Sequence, residues 1–388
     1  MRPTGDVLLL TPGPTPIHPR ALAAMQWPMR GHMDPDVFAT NDRIVTDLKA
    51  LYGAADDAFA SLLSGTGSLG MEAGIANLVE PGERLLVASN GVFGERMVTM
   101  GQRLGADVHV LRAPIEVALD VDAVVDEVQR LKPKVLAMVH GETSTGVLNP
   151  VPEISTRLGG SDTLISVDAV TTVGMMPFHM AEWGIDYAYT GSQKCLSAPP
   201  GLAPVVFSAR AMRAIEQRQT PVATWYADAV GMQAYWDPNG PRAYHHTVPV
   251  QLHWATGEAI RAALEEGLTQ RQRRVQRLAA AIIQALEPMG FVPTVAEPFR
   301  LPSVLAMTLP EGFDDAGVRR TLRERYSISV TGGLGPTAGR IWRLGLMGEN
   351  AHAWHYQRLM IALSELLDAP NLPHDFDEAV VATSRVPA

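Results

Sequence analysis

Residues 135–168 read VLAMVHGETSTGVLNPVPEISTRLGGSDTLISVD. Two short apolar runs, Val135–Val139 and Leu164–Val167, flank a stretch rich in Gly, Ser, Thr and Pro, and runs of that length between turn residues read as buried strands. The same signal recurs at Leu85–Ala88, Val108–Leu111 and Pro204–Phe207, with helical patterns between the runs. Strands alternating with helices imply a mostly parallel sheet flanked by helices on both faces, an α/β architecture.

Working outward, the first 35 residues are rich in Pro and Gly and read as an extended arm. The organisation expected is an N-terminal arm over 1–20, a large domain over 21–265, a smaller α+β domain over 266–370 and a tail over 371–388, loosely ordered from about Asp368 onward. Helix formers dominate 250–287, where Ile260–Leu286 reads as a long connection to the second domain. Beyond Gly290, strand signals at Val304–Leu309, Ser327–Thr331 and Ile341–Leu346 mix with helical patterns at 314–325 and 351–367.

A chain of 388 residues, 46% apolar, is long enough for two domains with a large core. The net charge of −9, with no basic stripe, argues against nucleic acid as a partner. No apolar stretch approaches a membrane span and no secretory signal opens the chain, so the expected location is cytoplasmic. The single cysteine, Cys195, rules out an internal disulfide framework and a multi-cysteine metal site, and no metal is expected.

Only four of the 32 basic side chains are lysines, so each can be weighed singly. Lys49 lies on the polar side of a helical pattern, and Lys132 and Lys134 flank Pro133. Lys194 instead sits in Tyr187-Ala-Tyr-Thr-Gly-Ser-Gln-Lys-Cys-Leu-Ser-Ala-Pro-Pro-Gly201, a loop of small residues between apolar strands from which an amine can reach a cleft. Such an amine is either a solvated loop lysine or a Schiff-base lysine, whose pKa burial and a nearby cation would lower. Asp168 ends a buried strand, where ligands bind in open parallel sheets. It either caps the next helix or keeps the ring nitrogen of pyridoxal 5′-phosphate (PLP) protonated. In Leu62-Leu-Ser-Gly-Thr-Gly-Ser-Leu-Gly-Met-Glu-Ala73 a glycine-rich turn opens a helix, and the N–H groups of Thr66, Gly67 and Ser68 suit one phosphate ester or an ordinary cap.

Taken together, these motifs resemble the class V, fold type I PLP-dependent aminotransferases, within them the alanine:glyoxylate (serine:pyruvate) aminotransferase group. The resemblance runs through Thr11-Pro-Gly-Pro-Thr15, Ser64-Gly-Thr-Gly67, Asn90-Gly-Val-Phe-Gly-Glu-Arg96, His140-Gly-Glu-Thr-Ser-Thr-Gly146, Val167-Asp-Ala169, Gly191-Ser-Gln-Lys194, Tyr244-His-His-Thr-Val-Pro-Val250, Gly332-Gly-Leu-Gly-Pro336 and Trp342-Arg-Leu-Gly-Leu-Met-Gly348. It implies that Phe93 stacks on the cofactor ring in place of Trp or Tyr. It places Thr143 near the cofactor's phenolic oxygen, in the substrate pocket, and Gln193 beside the phosphate. Tyr244 and Thr247 would reach the cofactor phosphate of a neighbouring subunit, making a homodimer with shared active sites. Arg343 would grip the substrate carboxylate with a two-pronged hydrogen bond; without the resemblance it reads as a buried ion-pair arginine. Gly13 would line the substrate side. Ser68 stands where some relatives carry His, and His18, His32 and His109 read as structural.

The reaction implied is a ping-pong transfer from a small amino acid, alanine or serine, to glyoxylate or another short 2-oxo acid, with Lys194 as the aldimine-forming amine. The Tyr-His-His-Thr run resembles the alanine:glyoxylate type more than the serine:glyoxylate enzymes. Ureidoglycine:glyoxylate and pyridoxamine:pyruvate aminotransferases share most of these motifs, but the latter is expected to carry a carboxylate near Thr66. A desulfurase or lyase needs a mobile thiol, and Cys195 is locked beside Lys194. A regulator that binds cofactor without catalysis lacks an attached DNA-binding segment.

Overall fold

The computed structural model describes residues 6–238 and 240–385, so the first five residues of the arm and the last three of the expected tail lie outside the described residues. Seven strands, β1 (Phe59–Ser64), β2 (Arg84–Ser89), β3 (Asp107–Arg112), β4 (Val135–Val139), β5 (Leu164–Asp168), β6 (Tyr187–Tyr189) and β7 (Leu202–Phe207), form one sheet in the order β1-β7-β6-β5-β4-β2-β3. Only β7 runs antiparallel to its neighbours. The central strands are buried from end to end, as a sheet covered on both faces requires. Besides the five strands read from apolar runs, the sheet contains β1 and β6. The Phe59-Ala-Ser-Leu-Leu-Ser64 run is diluted by small polar residues, and β6 is three residues inside a segment that reads as loop.

The arm is not extended throughout. Leu8–Leu9 pairs in parallel with Ile328–Ser329, but Pro19–Ala24 is helical. Pro19 is preset for a first helical turn, and His18 caps it by accepting from the Arg20 N–H. Arg20 then anchors the turn to Glu258 at 2.9 Å.

The long helical stretch is two helices, α1 (Val250–Glu266) and α2 (Leu268–Leu286). They break at Gly267, whose φ of +88° leaves the right-handed helical region. After them, β8 (Val292–Pro293), β9 (Val304–Thr308), β10 (Thr331–Gly332) and β11 (Ile341–Gly345) form an antiparallel sheet in the order β8-β9-β11-β10. Helix α3 (Ala353–Leu366) follows. The segment expected as a loose tail is instead a helix, α4 (Leu372–Ser384), with Pro373 in its first turn. It packs on α2 and α3 and buries Leu372, Phe376 and Ala379. That spacing lies on one helical face, and burial of the face overrides the polar composition around it.

Two apolar cores result. One fills the space around the seven-stranded sheet; the other joins the second sheet, α2, α3 and α4 with Leu8 and Leu10 of the arm. Among the described residues no helix is long and apolar enough to cross a membrane.

Candidate active site

Asp168 ends β5, at the centre of the sheet and directly opposite Tyr189 of β6. It is buried, its Oδ1 accepting from the Val170 N–H at 2.9 Å and its Oδ2 from the Tyr189 hydroxyl at 2.6 Å. Burial pushes its pKa up to about 6, against the pull of those two donors. A carboxyl that holds its proton more tightly folded than unfolded adds stability at low pH and loses it as pH rises through the folded value. The cofactor-free protein is therefore expected to lose about 3 kcal/mol from this group between roughly pH 4 and 7. Urea midpoints across that range should show the loss, and Asp168→Asn should flatten it.

The helix Gly67–Leu78 starts beside this carboxylate. Its N-cap, Thr66, makes no side-chain cap hydrogen bond. A Cβ on Gly67 would lie 3.4 Å from Val170 and 3.7 Å from the Gly191 backbone, so the glycine-rich turn meets both the Asp168 and the Lys194 segments. Beside it, Gln193 Oε1 is buried with no partner. An amide's O and N exchange places by a flip, so this side chain can turn its NH₂ toward an anion.

Lys194 Nζ donates to the Pro12 carbonyl at 2.5 Å. Gly13 lies against the same side chain: a Cβ there would come within 2.5 Å of Lys194 Cδ and 2.7 Å of Nζ. Burial lowers the Lys194 pKa, and the charges of Arg343 and Arg96 lower it further, while Cys195 and Asp168 oppose them. The loop itself is braced. Thr15 donates its N–H to the Gln193 carbonyl at 3.0 Å and shares a 3.0 Å hydrogen bond with Ser197 Oγ. Arg271 of α2, 4% exposed, donates to the carbonyls of Cys195 at 2.9 Å and Gly174 at 2.6 Å.

Arg343 lies on β11, 4% exposed. Its Nε donates to Gly332 O and its Nη1 to Thr143 O, each at 3.0 Å. Two of the five guanidinium N–H groups are thereby spent and the plane is fixed. Thr143 thus meets Arg343 through its carbonyl. Its neighbour Glu142 is fully buried, accepting from the N–H groups of Phe93, Gly94 and Ser144. Phe93 opens the helix Val92–Arg103, and the Arg96 guanidinium lies 4.7 Å from its ring centroid while donating to Ser68 Oγ at 3.2 Å.

The structure therefore gathers Thr66, Gly67, Ser68, Phe93, Thr143, Asp168, Gln193, Lys194, Arg343 and Gly13 around the carboxyl end of the sheet. Tyr244 and Thr247 stand apart: Tyr244 is 61% exposed, its hydroxyl 3.4 Å from Thr247 and its ring against His32. Sequence reading assigned no role to Tyr189, Arg96 or Glu142, although all three lie in the quoted motifs. Tyr189 becomes visible only with the β5–β6 register. Of the remaining histidines, His18 is a helix cap and His109 pairs with Asp107.

A family model described as Aminotransferase class-V matches residues 32–344. The chain belongs to the class-V aminotransferases. It is 35% identical over 367 residues to an alanine--glyoxylate aminotransferase of Drosophila melanogaster, covering 94% of this chain and 93% of the relative. Among solved structures, an alanine--glyoxylate aminotransferase from Nostoc sp. superposes with a TM-score of 0.91 at 37% identity, covering 94% of this chain and 96% of that one. A ureidoglycine-glyoxylate aminotransferase from Bacillus subtilis superposes with a TM-score of 0.94 at 32% identity, covering 97% and 99%. The fold is that of the fold type I PLP-dependent transferases, and the class-V aminotransferase uses pyridoxal 5′-phosphate. Its site fits that group: a buried carboxylate with no ion pair among the described residues, an orphaned amide and an uncapped helix start lie together beside a buried amine.

Proposed function

We propose that this class-V aminotransferase moves the amino group of a small amino acid, alanine or serine, to glyoxylate or another short 2-oxo acid. The observation that supports a small donor is the arm lying against the amine: Lys194 Nζ donates to the Pro12 carbonyl and a Cβ on Gly13 would come within 2.7 Å of the same nitrogen. The names of the fly and Nostoc relatives point the same way.

Asp168 would face the ring nitrogen, its own ionisation favoured by that positive partner. The N–H groups at Thr66–Ser68 and the Gln193 amide would hold the phosphate, Phe93 would stack on the ring, and Thr143 would sit by the phenolic oxygen. Bound pyridoxal phosphate supplies an electron-withdrawing ring that stabilises negative charge at the substrate Cα. Lys194 would carry the cofactor covalently at rest, and its freed amine, kept unprotonated by burial, would take the proton from Cα. Arg343, immobilised by two carbonyls, would hold the substrate carboxylate and so set which bond at Cα is cleaved. Both half reactions use this one site, so initial-rate lines at several donor concentrations should be parallel. A panel of amino donors against glyoxylate, pyruvate and 2-oxoglutarate tests the assignment; intersecting lines, or no turnover with alanine or serine, would sink it.

The second reading, a ureidoglycine donor, is supported by the superposition on the Bacillus protein, and the same panel decides it. A pyridoxamine donor is disfavoured by Thr66 where a carboxylate is expected. A desulfurase role is disfavoured because Cys195 is fully buried and its thiol is pushed up to about 12.

A cytoplasmic homodimer completes the proposal, with exposed Tyr244 and Thr247 reaching the partner's phosphate site. Co-expressing Lys194→Ala with a Tyr244→Ala/Thr247→Ala chain is expected to recover about one quarter of wild-type activity, since half the dimers would be mixed and each would hold one intact site. Absence of recovery would refute sharing across the interface.

A further inference from the structure

Away from the sheet, a cavity of about 560 Å³ opens between α2, the start of α3 and the end of α4. Arg273, Arg274 and Arg277 of α2 line it, on one face of the helix by their spacing. No carboxylate is among the described residues that line it. Arg274 is engaged by Glu266 and by the Ala351 carbonyl. Arg273 has no hydrogen-bond or ion-pair partner among the described residues, so its positive charge faces the cavity without the carboxylate that Arg274 has in Glu266.

On the facing wall, α3 points its N-terminus into the space. Its N-cap, His352, makes no side-chain cap hydrogen bond and stacks instead on Trp354, with centroids 4.1 Å apart and planes 14° from parallel. Trp354 lines the same cavity and is 60% exposed, which is unusual for so large an apolar ring. Burial, followed by the charge of Arg274, pushes His352 down to about 4, in keeping with a positive potential there.

Arginine forks and a helix start both suit an oxyanion, and a phosphate has oxygens enough to meet both at once. The volume is far more than a bare phosphate or a three-carbon acid fills, and lies within the roughly 300–1,000 Å³ typical of small-molecule sites. We propose that this cavity binds a phosphate monoester carried on a flat heteroaromatic ring, the arginines and the α3 N-terminus taking the phosphate and Trp354 the ring. That chemistry describes both a nucleoside monophosphate and a free pyridoxine-type phosphate.

Equilibrium dialysis of the holoenzyme against AMP, pyridoxine 5′-phosphate and inorganic phosphate separates them. One ring phosphate is expected to bind once per chain, at least about tenfold more tightly than inorganic phosphate, and the tighter of the two identifies the source. Arg273→Glu and Trp354→Ala, both at exposed positions, are each expected to weaken binding by at least about tenfold with turnover unchanged. No binding by either ring phosphate, equal affinity for inorganic phosphate, or unaltered affinity in both variants would overturn the proposal.

Discussion

Lys194→Ala is expected to lower turnover by about 10²–10⁴-fold or more, the range lost with a positioned general acid–base group. The variant keeps Asp168, the Thr66–Ser68 turn and Gln193, so it should still take up the cofactor, now removable by dialysis. Borohydride followed by peptide mapping should mark Lys194 in the wild type and no position in the variant. A small exogenous amine should restore part of the activity, because the space left by the side chain adjoins Gly13 and Pro12. Full turnover without the amine, or labelling at Lys49, Lys132 or Lys134, would refute the assignment.

The second large effect is at Arg343. Truncating one partner of a buried charge pair costs about 2–5 kcal/mol. Arg343→Ala is therefore expected to lower kcat/KM for a carboxylate-bearing donor by roughly 30- to 4,000-fold. Arg343→Lys should recover little, because an ammonium cannot satisfy the Gly332 and Thr143 carbonyls together and still present a fork to the substrate. For an amine donor without a carboxylate, wild type and variant should converge. An equal loss for both kinds of donor would mean that the residue acts only in folding.

Much of this site could be read from the sequence because its parts are local. Lys194 is one of four lysines and sits in a run of small residues, and Asp168 closes an apolar strand; each is a candidate on its own, and the motifs around them decide between the structural and the catalytic reading. Arg343 acquired its role only through the resemblance, since an arginine in a strand is also what a structural ion pair looks like. Tyr189 was hidden for a different reason. Its contact with Asp168 arises from strand register, which nothing in the Tyr187-Ala-Tyr189 run encodes. Glu142 likewise depends on the helix Val92–Arg103 arriving from elsewhere to be capped. In the fold, the Ile260–Leu286 stretch read as one long connection although it breaks at Gly267, and α4 was masked by the polar residues between Leu372, Phe376 and Ala379, whose spacing counts only once α2 and α3 are there to bury it.

The loop around Lys194 runs along a seam. Cys195 packs into the second apolar core while Leu196 and Ala198 pack into the first, and Arg271 staples the seam by reaching from α2 to the Cys195 and Gly174 carbonyls. Neither half of the molecule can loosen without dragging the amine with it. Heating should consequently register as a single calorimetric endotherm, and damage to a distant helix such as α4 should surface first as a misplaced lysine rather than as a partly molten but competent enzyme.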